Sequence, residues 1–354
     1  MKIAQLASSV ESVPPAGYGG TEIVVNLLTE ELVEQGHEVT LFASGDSKTA
    51  ARLVSITEHS MRADHSIPQS RWAAYDIRTL LKLEEMQDQF DIIHNHMSWQ
   101  ALPFLANLRK PVVTTNHNPI RDYCKDIYFA YRELPYVSIS DAYRRLNHPE
   151  EINYIGTVYN GINLDDYRYQ RDKEGEYLLF LGRICHDKGT RESIEIARAL
   201  DLPLKIAGKI DRRDQGYFDS EVKPELGENG IEYVGEVNLL QKNELYRNAI
   251  AVTYPINFDE PFGLVMAEAM ACGVPLLALE RGSVKEVLED GHTAIVGNSV
   301  EELIRRFPEL KKIRPENCRL RAEKLFGKVT IIKNYIKIYE QVIEFQDSEI
   351  KQKA

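Results

Sequence analysis

Short apolar segments alternate with segments of helical periodicity along nearly the whole chain. Lys2–Leu6 is an apolar segment of strand length, and in Thr21–Gln35 apolar residues recur at the spacing of a helix face. The same alternation starts again at Tyr177–Leu181. Because parallel strands need a crossover, usually a helix, this pattern indicates parallel sheets covered by helices on both faces. The sequence therefore predicts an α/β protein built from doubly wound parallel sheets.

A polar stretch separates the two runs of alternation. Asp165–Glu176 is rich in Asp, Arg, Lys and Tyr and has no apolar period, so we interpret it as an interdomain linker. We predict a first domain over residues 1–165 and a second domain over residues 166–329. The helix predicted at about residues 330–354 is expected to return to the first domain.

Some segments between the clear strands are harder to assign. A helix is predicted over Trp99–Arg109 and another over Arg213–Leu226, whereas residues 46–73 are polar and receive no element. These segments connect strands, where length and composition are least constrained.

Composition and charge narrow the class of partner. The 354 residues carry a formal net charge of −11, which disfavours nucleic acid and anionic membrane as dominant partners. The four cysteines are scattered without C-x-x-C spacing, which fits a reducing compartment and predicts neither a disulfide framework nor a metal framework. The longest apolar run, 263–279, is broken by Glu268 and Gly273-Val274-Pro275, so no transmembrane segment is predicted. We expect a cytoplasmic protein and leave peripheral membrane attachment open.

The stretch Asn257–Gly273, NFDEPFGLVMAEAMACG, places two acids eight residues apart, Glu260 and Glu268. Gly263 suits a helix entrance, and strong helix formers follow from Leu264. The free amides at a helix start bind anions, and an acid inside an apolar helix is costly without a partner. The pattern favours a ligand site that spans both acids. The alternative is a buried helix with Glu260 in a solvated loop and Glu268 pointing outward.

Two loops that follow predicted strands suggest phosphate binding. Gly17–Gly20 lies between the first strand and the first helix, but it lacks G-x-G-x-x-G spacing, so a plain strand-to-helix turn stays open. In the second run, Gly182-Arg183 and Lys188 follow the strand Tyr177–Leu181. Two cations there could neutralise a diphosphate, and the alternative is a pair of surface cations.

Three histidines follow or close strands of the first run. His117 closes a strand, where an imidazole could bind a sugar or phosphate or simply be a satisfied loop residue. His94 and His96 would point in opposite directions in an extended chain, so we do not expect them to share a metal. No Asp-x-Asp pair, Walker loop, nucleophile elbow or H-E-x-x-H motif occurs.

These motifs, in this order, resemble those of the family 4 retaining glycosyltransferases of GT-B fold. The resemblance covers nearly the whole chain and rests on the following residues: Gly17-x-Gly19-Gly20-Thr21-Glu22, Leu181-Gly182-Arg183 with Lys188-Gly189, and Glu260-Pro261-Phe262-Gly263-Leu264 with Glu268. It implies two Rossmann-like domains that face a central cleft. A nucleotide-sugar donor would lie mainly on the second domain and the acceptor mainly on the first.

The resemblance also implies roles for single residues. Arg183 and Lys188 would bind the donor diphosphate, Glu268 the ribose hydroxyls and Glu260 the transferred sugar. His117 would lie beside the donor sugar. Further donor contacts are implied for Gly19, Gly20, Gly182, Gly263, Leu264 and Val265, and His94 and His96 would line the acceptor side.

The implied reaction is hexosyl transfer to a hydroxyl with retention of configuration, without a metal or other cofactor. Fixed cations and helix amides would stabilise the charge of the leaving diphosphate, and the departing phosphate would take the acceptor proton. A UDP sugar is the default donor, and the acceptor could be a sugar, a small metabolite or a lipid-linked hydroxyl. In the turn Glu280–Glu286, Arg281 stands where the family often has Gly, which leaves donor-sugar contacts there open.

Three other functions stay open on the sequence. One is a non-catalytic nucleotide-sugar-binding or regulatory subunit on the same fold. Another is a nicotinamide-dependent oxidoreductase, against which the missing dinucleotide fingerprint counts. A nucleotide-sugar epimerase of the same fold is the last.

Overall fold

The structure, a computed structural model, describes residues 1–17, 19–169 and 175–353, with side chains as far as Ser348. Tyr18 of the predicted phosphate loop and residues 170–174 of the predicted linker lie outside the described residues.

Strands and helices alternate through the described residues. The strands are β1 Lys2–Leu6, β2 Glu38–Phe42, β3 Arg52–Val54, β4 Ile92–Asn95, β5 Val112–Asn116, β6 Tyr136–Ser138, β7 Tyr154–Thr157, β8 Tyr177–Leu181, β9 Leu204–Ala207, β10 Ile231–Gly235, β11 Ala249–Tyr254, β12 Leu276–Leu279 and β13 Ala294–Gly297. The α-helices are α1 Gly20–Glu34, α2 Trp72–Met86, α3 Leu102–Leu105, α4 Asp122–Ala130, α5 Asp141–Leu146, α6 Thr190–Leu200, α7 Gln215–Tyr217, α8 Leu239–Arg247, α9 Leu264–Ala271, α10 Val284–Val287, α11 Val300–Arg306, α12 Pro315–Phe326 and α13 Lys328–Lys353.

The chain divides into two compact units. The N-terminal unit contains Met1–Gly161 and Lys328–Ala354, and the C-terminal unit contains Ile162–Gly327. The last helix, α13, therefore belongs to the N-terminal unit.

The N-terminal unit is a parallel sheet with helices on both faces. Its described strands are ordered β3-β2-β1-β4-β5-β6-β7, and all pairs are parallel. On one face Leu28 of α1 and Ile331 of α13 pack against Ile3 and Ile92, and on the other face Leu83 of α2 packs among residues such as Ile93. Successive residues of a strand thus contribute to opposite cores, as expected for a sheet that is buried on both faces.

The C-terminal unit repeats this winding. Its described strands are ordered β10-β9-β8-β11-β12-β13, again with parallel pairs throughout. In both sheets the first strand is flanked by the second and the fourth, which is the Rossmann order. The predicted doubly wound α/β architecture is confirmed.

The segments that are hard to assign from sequence differ from their predicted secondary structure. Trp99–Arg109, predicted as one helix, forms a 3₁₀ turn at Ser98–Ala101 and then the short α3. Arg213–Leu226 is broken into 3₁₀, α and π turns instead of a continuous helix. Residues 46–73, left unassigned, contain the edge strand β3 and a 3₁₀ turn. Gly216 and Pro224 lie inside the broken segment, where both residues are unfavourable to an α-helix.

Candidate active site

Each sheet has a switch point where the strand order reverses, and ligands of such sheets bind at the carboxyl ends of the strands there. In the C-terminal unit this point lies between β8 and β11, and in the N-terminal unit between β1 and β4. Most of the predicted site residues lie at one of these two places.

In the C-terminal unit the loop after β8 is pressed against the chain that follows β11. The 3₁₀ turn His186–Lys188 ends at Gly189, whose φ of +75° is unfavourable for other residues. A Cβ at Gly189 would lie 1.9 Å from the carbonyl oxygen of Pro255. Asn257 N donates to Asp187 O at 2.8 Å and completes the contact. The close approach requires glycine and places Lys188 beside the loop that carries Glu260.

Lys188 and Glu260 form an ion pair across this switch point. Lys188 Nζ donates to Glu260 Oε2 at 2.6 Å, and the hydroxyl of Tyr254 donates to the same oxygen at 2.5 Å. The side chains of Lys188 and Glu260 are only 18% and 8% exposed, and Lys188 Nζ lies 4.6 Å from the ring centre of Phe258. The structure thus brings together two predicted site residues that are 72 positions apart in the chain.

The turn between β12 and α10 fixes the backbone of Glu260. Gly282, with φ of +53°, lies so close that a Cβ there would be 2.4 Å from both the amide nitrogen and the carbonyl oxygen of Glu260. Ser283 N donates to the same carbonyl at 2.9 Å. Arg281, which departs from the family pattern, is exposed. Backbone atoms of the turn therefore hold Glu260, without a contribution from the Arg281 side chain to these contacts.

Helix α9 begins at Leu264, as predicted, shortly after Glu260 in the chain. Gly263 precedes the helix and has a φ of +78°. The backbone amides of Gly263, Leu264 and Val265, for which donor contacts are predicted, therefore lie at the helix N-terminus. The first amides of a helix have no acceptor within the helix and carry the positive end of its dipole. Gly263 at this end of α9 lies three residues after Glu260 of the Lys188–Glu260 pair.

Arg183 and Gly182 follow β8 directly. Gly182 N donates to Ala207 O at 3.1 Å, which continues the strand pairing. Arg183 Nη1 lies 3.5 Å from Asp211 Oδ2 and 3.6 Å from Asp214 Oδ2, so its charge faces two carboxylates of the loop after β9. Its predicted contact with a diphosphate stays a prediction.

Glu268 is buried in a polar cluster that sequence reasoning missed. Lys242 Nζ donates to both carboxylate oxygens at 3.0 Å, and the hydroxyls of Tyr167 and Tyr246 donate at 2.9 and 3.0 Å. Burial, with the adjacent carboxylate, raises the pKa of both tyrosines well above its usual value. Lys242 and Tyr246 are four residues apart, which puts them on one face of α8. This spacing was the only sequence signal for a shared polar cluster. The partners explain how an apolar helix carries this acid, and the ribose contact stays a prediction.

In the N-terminal unit, three predicted histidines lie in one buried network. His96 Nδ1 is 2.9 Å from His117 Nε2, and His96 Nε2 is 2.8 Å from Gln5 Oε1. His94 contacts the Tyr339 hydroxyl through Nδ1 at 2.8 Å and Thr115 Oγ1 through Nε2 at 2.7 Å. Burial lowers the pKa of His117 to about 4 and those of His94 and His96 well below the usual value, so all three are neutral near pH 7.

The sequence-based expectation that His94 and His96 point apart is wrong. Their ring centres are 3.9 Å apart, because side chains two residues apart in an extended segment lie on the same face, and His96 N continues the strand pairing by donating to Leu6 O at 2.9 Å. His94 is fully buried with both ring nitrogens bonded, so it supports the site from within instead of presenting an atom to an acceptor. Among the described residues no cluster of His, Cys, Asp and Glu could hold a metal ion.

The predicted phosphate loop ends at the N-terminus of α1. Gly19 precedes the helix, Gly20 begins it, and Glu22 lies in its first turn. A Cβ at Gly19 would lie 2.8 Å from Glu22 Oε2, whereas a Cβ at Gly20 would meet nothing within 4 Å. Burial raises the pKa of Glu22. The arrangement gives a glycine-lined helix entrance at the carboxyl end of β1.

Comparison with known proteins agrees with this geometry. Residues 18–166 match the model of Glycosyltransferase Family 4, and residues 163–324 match that of Glycosyl transferases group 1. The chain is 28% identical over 345 residues to phosphatidyl-myo-inositol mannosyltransferase of Propionibacterium freudenreichii, which covers 86% of this chain and 87% of that protein.

Solved structures share the fold at low identity. Sucrose-phosphate synthase from Thermosynechococcus elongatus superposes with a TM-score of 0.77 at 20% identity, over 97% of this chain and 99% of that one. An Anabaena protein solved with UDP and glucose gives a TM-score of 0.73 at 17% identity, over 96% and 99%.

The two Rossmann-type parallel sheets and the likeness to solved glycosyltransferase structures place the chain in the GT-B fold class. The chain belongs to the family 4 glycosyltransferases, as the sequence motifs predicted. None of the helices that the structure describes combines the length and the apolar character of a transmembrane span.

Proposed function

We propose that the protein transfers a hexosyl group from a nucleotide sugar, with a UDP sugar as the first candidate, to an acceptor hydroxyl. The anomeric configuration is retained, and no divalent ion takes part. The C-terminal unit binds the donor, and the N-terminal unit supplies His117 and the acceptor side.

The observation that carries this proposal is the Lys188–Glu260 pair at the switch point of the C-terminal sheet, beside the start of α9. One hydrogen of the Lys188 ammonium is used by Glu260, and two stay available for diphosphate oxygens. A cation and helix amides at the leaving group stabilise charge that grows in the transition state. They supply the electrostatic stabilisation that a divalent ion would otherwise give.

Glu260 suits sugar binding better than nucleophilic attack. Its Oε2 accepts from both Lys188 and Tyr254, and among the described residues no side chain donates to Oε1. Oε1 can accept from a hydroxyl of the transferred sugar, while the two donors on Oε2 weaken it as a nucleophile. In a front-face reaction the leaving phosphate oxygen takes the acceptor proton as the new glycosidic bond forms, so a protein nucleophile is not required.

The relatives guide the choice of donors to test. One relative is named a mannosyltransferase, and one structural neighbour was solved with UDP and glucose. The test is a thermal-shift screen of UDP, GDP and ADP sugars, followed by product analysis by NMR with sugar, metabolite and lipid-linked acceptors, with and without chelator. We expect one donor to raise the melting temperature and to give a retained glycoside in chelator.

Each other outcome excludes part of the proposal. An inverted product excludes retention, and loss of transfer in chelator that a divalent ion restores excludes the metal-free reaction. Donor binding with neither hydrolysis nor transfer to any acceptor favours the non-catalytic subunit.

A further inference from the structure

The buried network of the N-terminal unit connects His117 to the last helix through a glutamine. Gln5 Nε2 donates to the Tyr339 hydroxyl at 3.0 Å, and Gln5 Oε1 lies 2.8 Å from His96 Nε2. Gln5 is fully buried in β1, and Tyr339 is fully buried in α13. An amide nitrogen only donates and an amide oxygen only accepts, so this orientation gives the network a direction.

The direction determines which nitrogen of each imidazole carries the proton. Because Gln5 Oε1 can only accept, His96 must donate to it from Nε2. A neutral imidazole carries one N–H, so His96 Nδ1 is an acceptor. His117, 2.9 Å from that Nδ1, must then donate from Nε2. His117 Nδ1 is left with a lone pair.

The other arm of the network has a consistent pattern. The Tyr339 hydroxyl accepts from Gln5 and has its own hydrogen to give to His94 Nδ1 at 2.8 Å. His94 then donates from Nε2 to Thr115 Oγ1 at 2.7 Å, and Thr115 can donate to the Tyr335 hydroxyl at 3.1 Å. Each contact of this arm thus pairs one donor with one acceptor, as buried polar groups require.

We propose that Gln5, oriented by Tyr339, is a positioning residue that holds His117 in the Nε2-protonated tautomer, so that its Nδ1 accepts a hydrogen bond from a substrate hydroxyl. Among the described residues no protein group is bonded to His117 Nδ1, and the residue as a whole is 9% exposed. The catalytic consequence rests on the proposed glycosyl transfer, whereas the tautomer is a property of the protein alone.

The α13 helix offers a matched pair of variants for the test. Tyr335 and Tyr339 are both buried in it, but only the Tyr339 hydroxyl contacts Gln5. Tyr339→Phe removes the acceptor for Gln5 Nε2, so the amide can turn over and donate to His96, which favours the opposite His117 tautomer. Tyr335→Phe removes a hydroxyl of the same helix at the far end of the network and leaves Gln5 oriented.

The measurement is the ring nitrogen NMR spectrum of the full chain with labelled histidine, near neutral pH and without substrate. The chain has nine histidines, and a His117→Gln variant identifies the His117 signals. We expect a protonated Nε2 and an unprotonated Nδ1 in the native protein. The tautomer ratio should shift about fivefold in Tyr339→Phe, as loss of one net hydrogen bond predicts, and stay native in Tyr335→Phe.

A native His117 protonated at Nδ1 overturns the proposal, and so does an equal response to both tyrosine variants, which is what helix packing alone would give. If Tyr339→Phe does not fold, Gln5→Met removes the amide oxygen that accepts from His96 Nε2, and an unchanged His117 tautomer in that variant is equally contradictory. With an active donor and acceptor in hand, kcat should fall about fivefold in Tyr339→Phe, with less change in the donor KM. Failure of transfer with a confirmed tautomer would reject the proposed function and leave this inference standing.

Discussion

The two switch points share one strand order and differ in charge. The C-terminal one holds a nearly buried ion pair, Lys188 with Glu260, beside the start of a helix. The N-terminal one holds neutral imidazoles joined to an amide and a phenol, because burial keeps the histidines unprotonated. The same fold thus provides a charged site and an uncharged, directional hydrogen-bonding site.

This difference suits the two halves of glycosyl transfer. Departure of a diphosphate develops charge, which fixed charges stabilise. Orientation of a hydroxyl needs a hydrogen-bond acceptor in a fixed tautomer, for which a neutral histidine is suited. The following predictions separate the two sites experimentally.

The largest expected effect is on the charged site. Lys188→Ala should lower turnover about 100- to 1000-fold, because the proposed function places this fixed cation at the leaving group. Steady-state kinetics with the donor found by the screen checks this. Lys285→Ala is the matched control, since Lys285 pairs with Glu280 on the surface of the same unit and is 63% exposed. Turnover within about threefold of native in Lys188→Ala would remove Lys188 from the mechanism.

The Glu268 cluster should respond mainly in stability. Glu268→Ala leaves the buried Tyr246 hydroxyl and the Lys242 ammonium without their acceptor, so we expect a loss of roughly 3 kcal/mol in the free energy of unfolding. Urea unfolding measures it, with Glu244→Ala, an exposed acid of α8, as control.

The same variant tests the ribose role of Glu268. Weakened binding of UDP, GDP and ADP in folded Glu268→Ala protein is expected if the carboxylate contacts ribose. Unchanged affinity would limit Glu268 to joining α8, α9 and Tyr167.

The uncharged site should respond to acid. The unfolded chain takes up a proton on His117 below its usual pKa of 6.5, whereas the folded protein does so only near pH 4. The stabilisation is complete above pH 6.5 and is lost as the pH falls towards 4, by roughly 3 kcal/mol for this group.

A second group in the same unit acts in the opposite sense. Burial raises the pKa of Asp76 to about 6, so Asp76 binds its proton first in the folded protein and adds stability as the pH falls through this window. The difference between native protein and His117→Gln, followed by urea unfolding from pH 7 to 4, isolates the histidine. A difference that does not vary with pH would show that His117 titrates normally when folded.

The sequence was sufficient for the architecture and for many strand-end residues. Alternation of apolar and helical segments predicts parallel sheets, and Lys188 and Glu260 lie where loops leave β8 and β11. It was insufficient where partners come from distant elements. The spacing of Lys242 and Tyr246 shows that they share a face of α8, but not that this face meets Glu268. Tyr339 reaches Gln5 across 334 positions, and no local pattern shows that contact.

The backbone contacts made by loops at strand ends could not be predicted from residue periodicity either. The carbonyl of Glu260 is held by a turn whose role depends on contacts with Gly282 and Ser283. Such contacts depend on how close two loops come, which residue spacing does not encode.

The smallest expected effect concerns that turn. Arg281→Gly restores the residue that the family often has, but the Arg281 side chain is exposed and backbone atoms of Gly282 and Ser283 hold Glu260. We expect kcat/KM to stay within about twofold of native, as for a surface substitution. Gly282→Ala in the same turn should be far more damaging, since its Cβ would lie 2.4 Å from the Glu260 backbone. A tenfold change in donor preference for Arg281→Gly would instead mean that the Arg281 side chain contacts the donor sugar. Charge at the C-terminal switch point would then select the donor as well as stabilise the departing diphosphate of the proposed reaction.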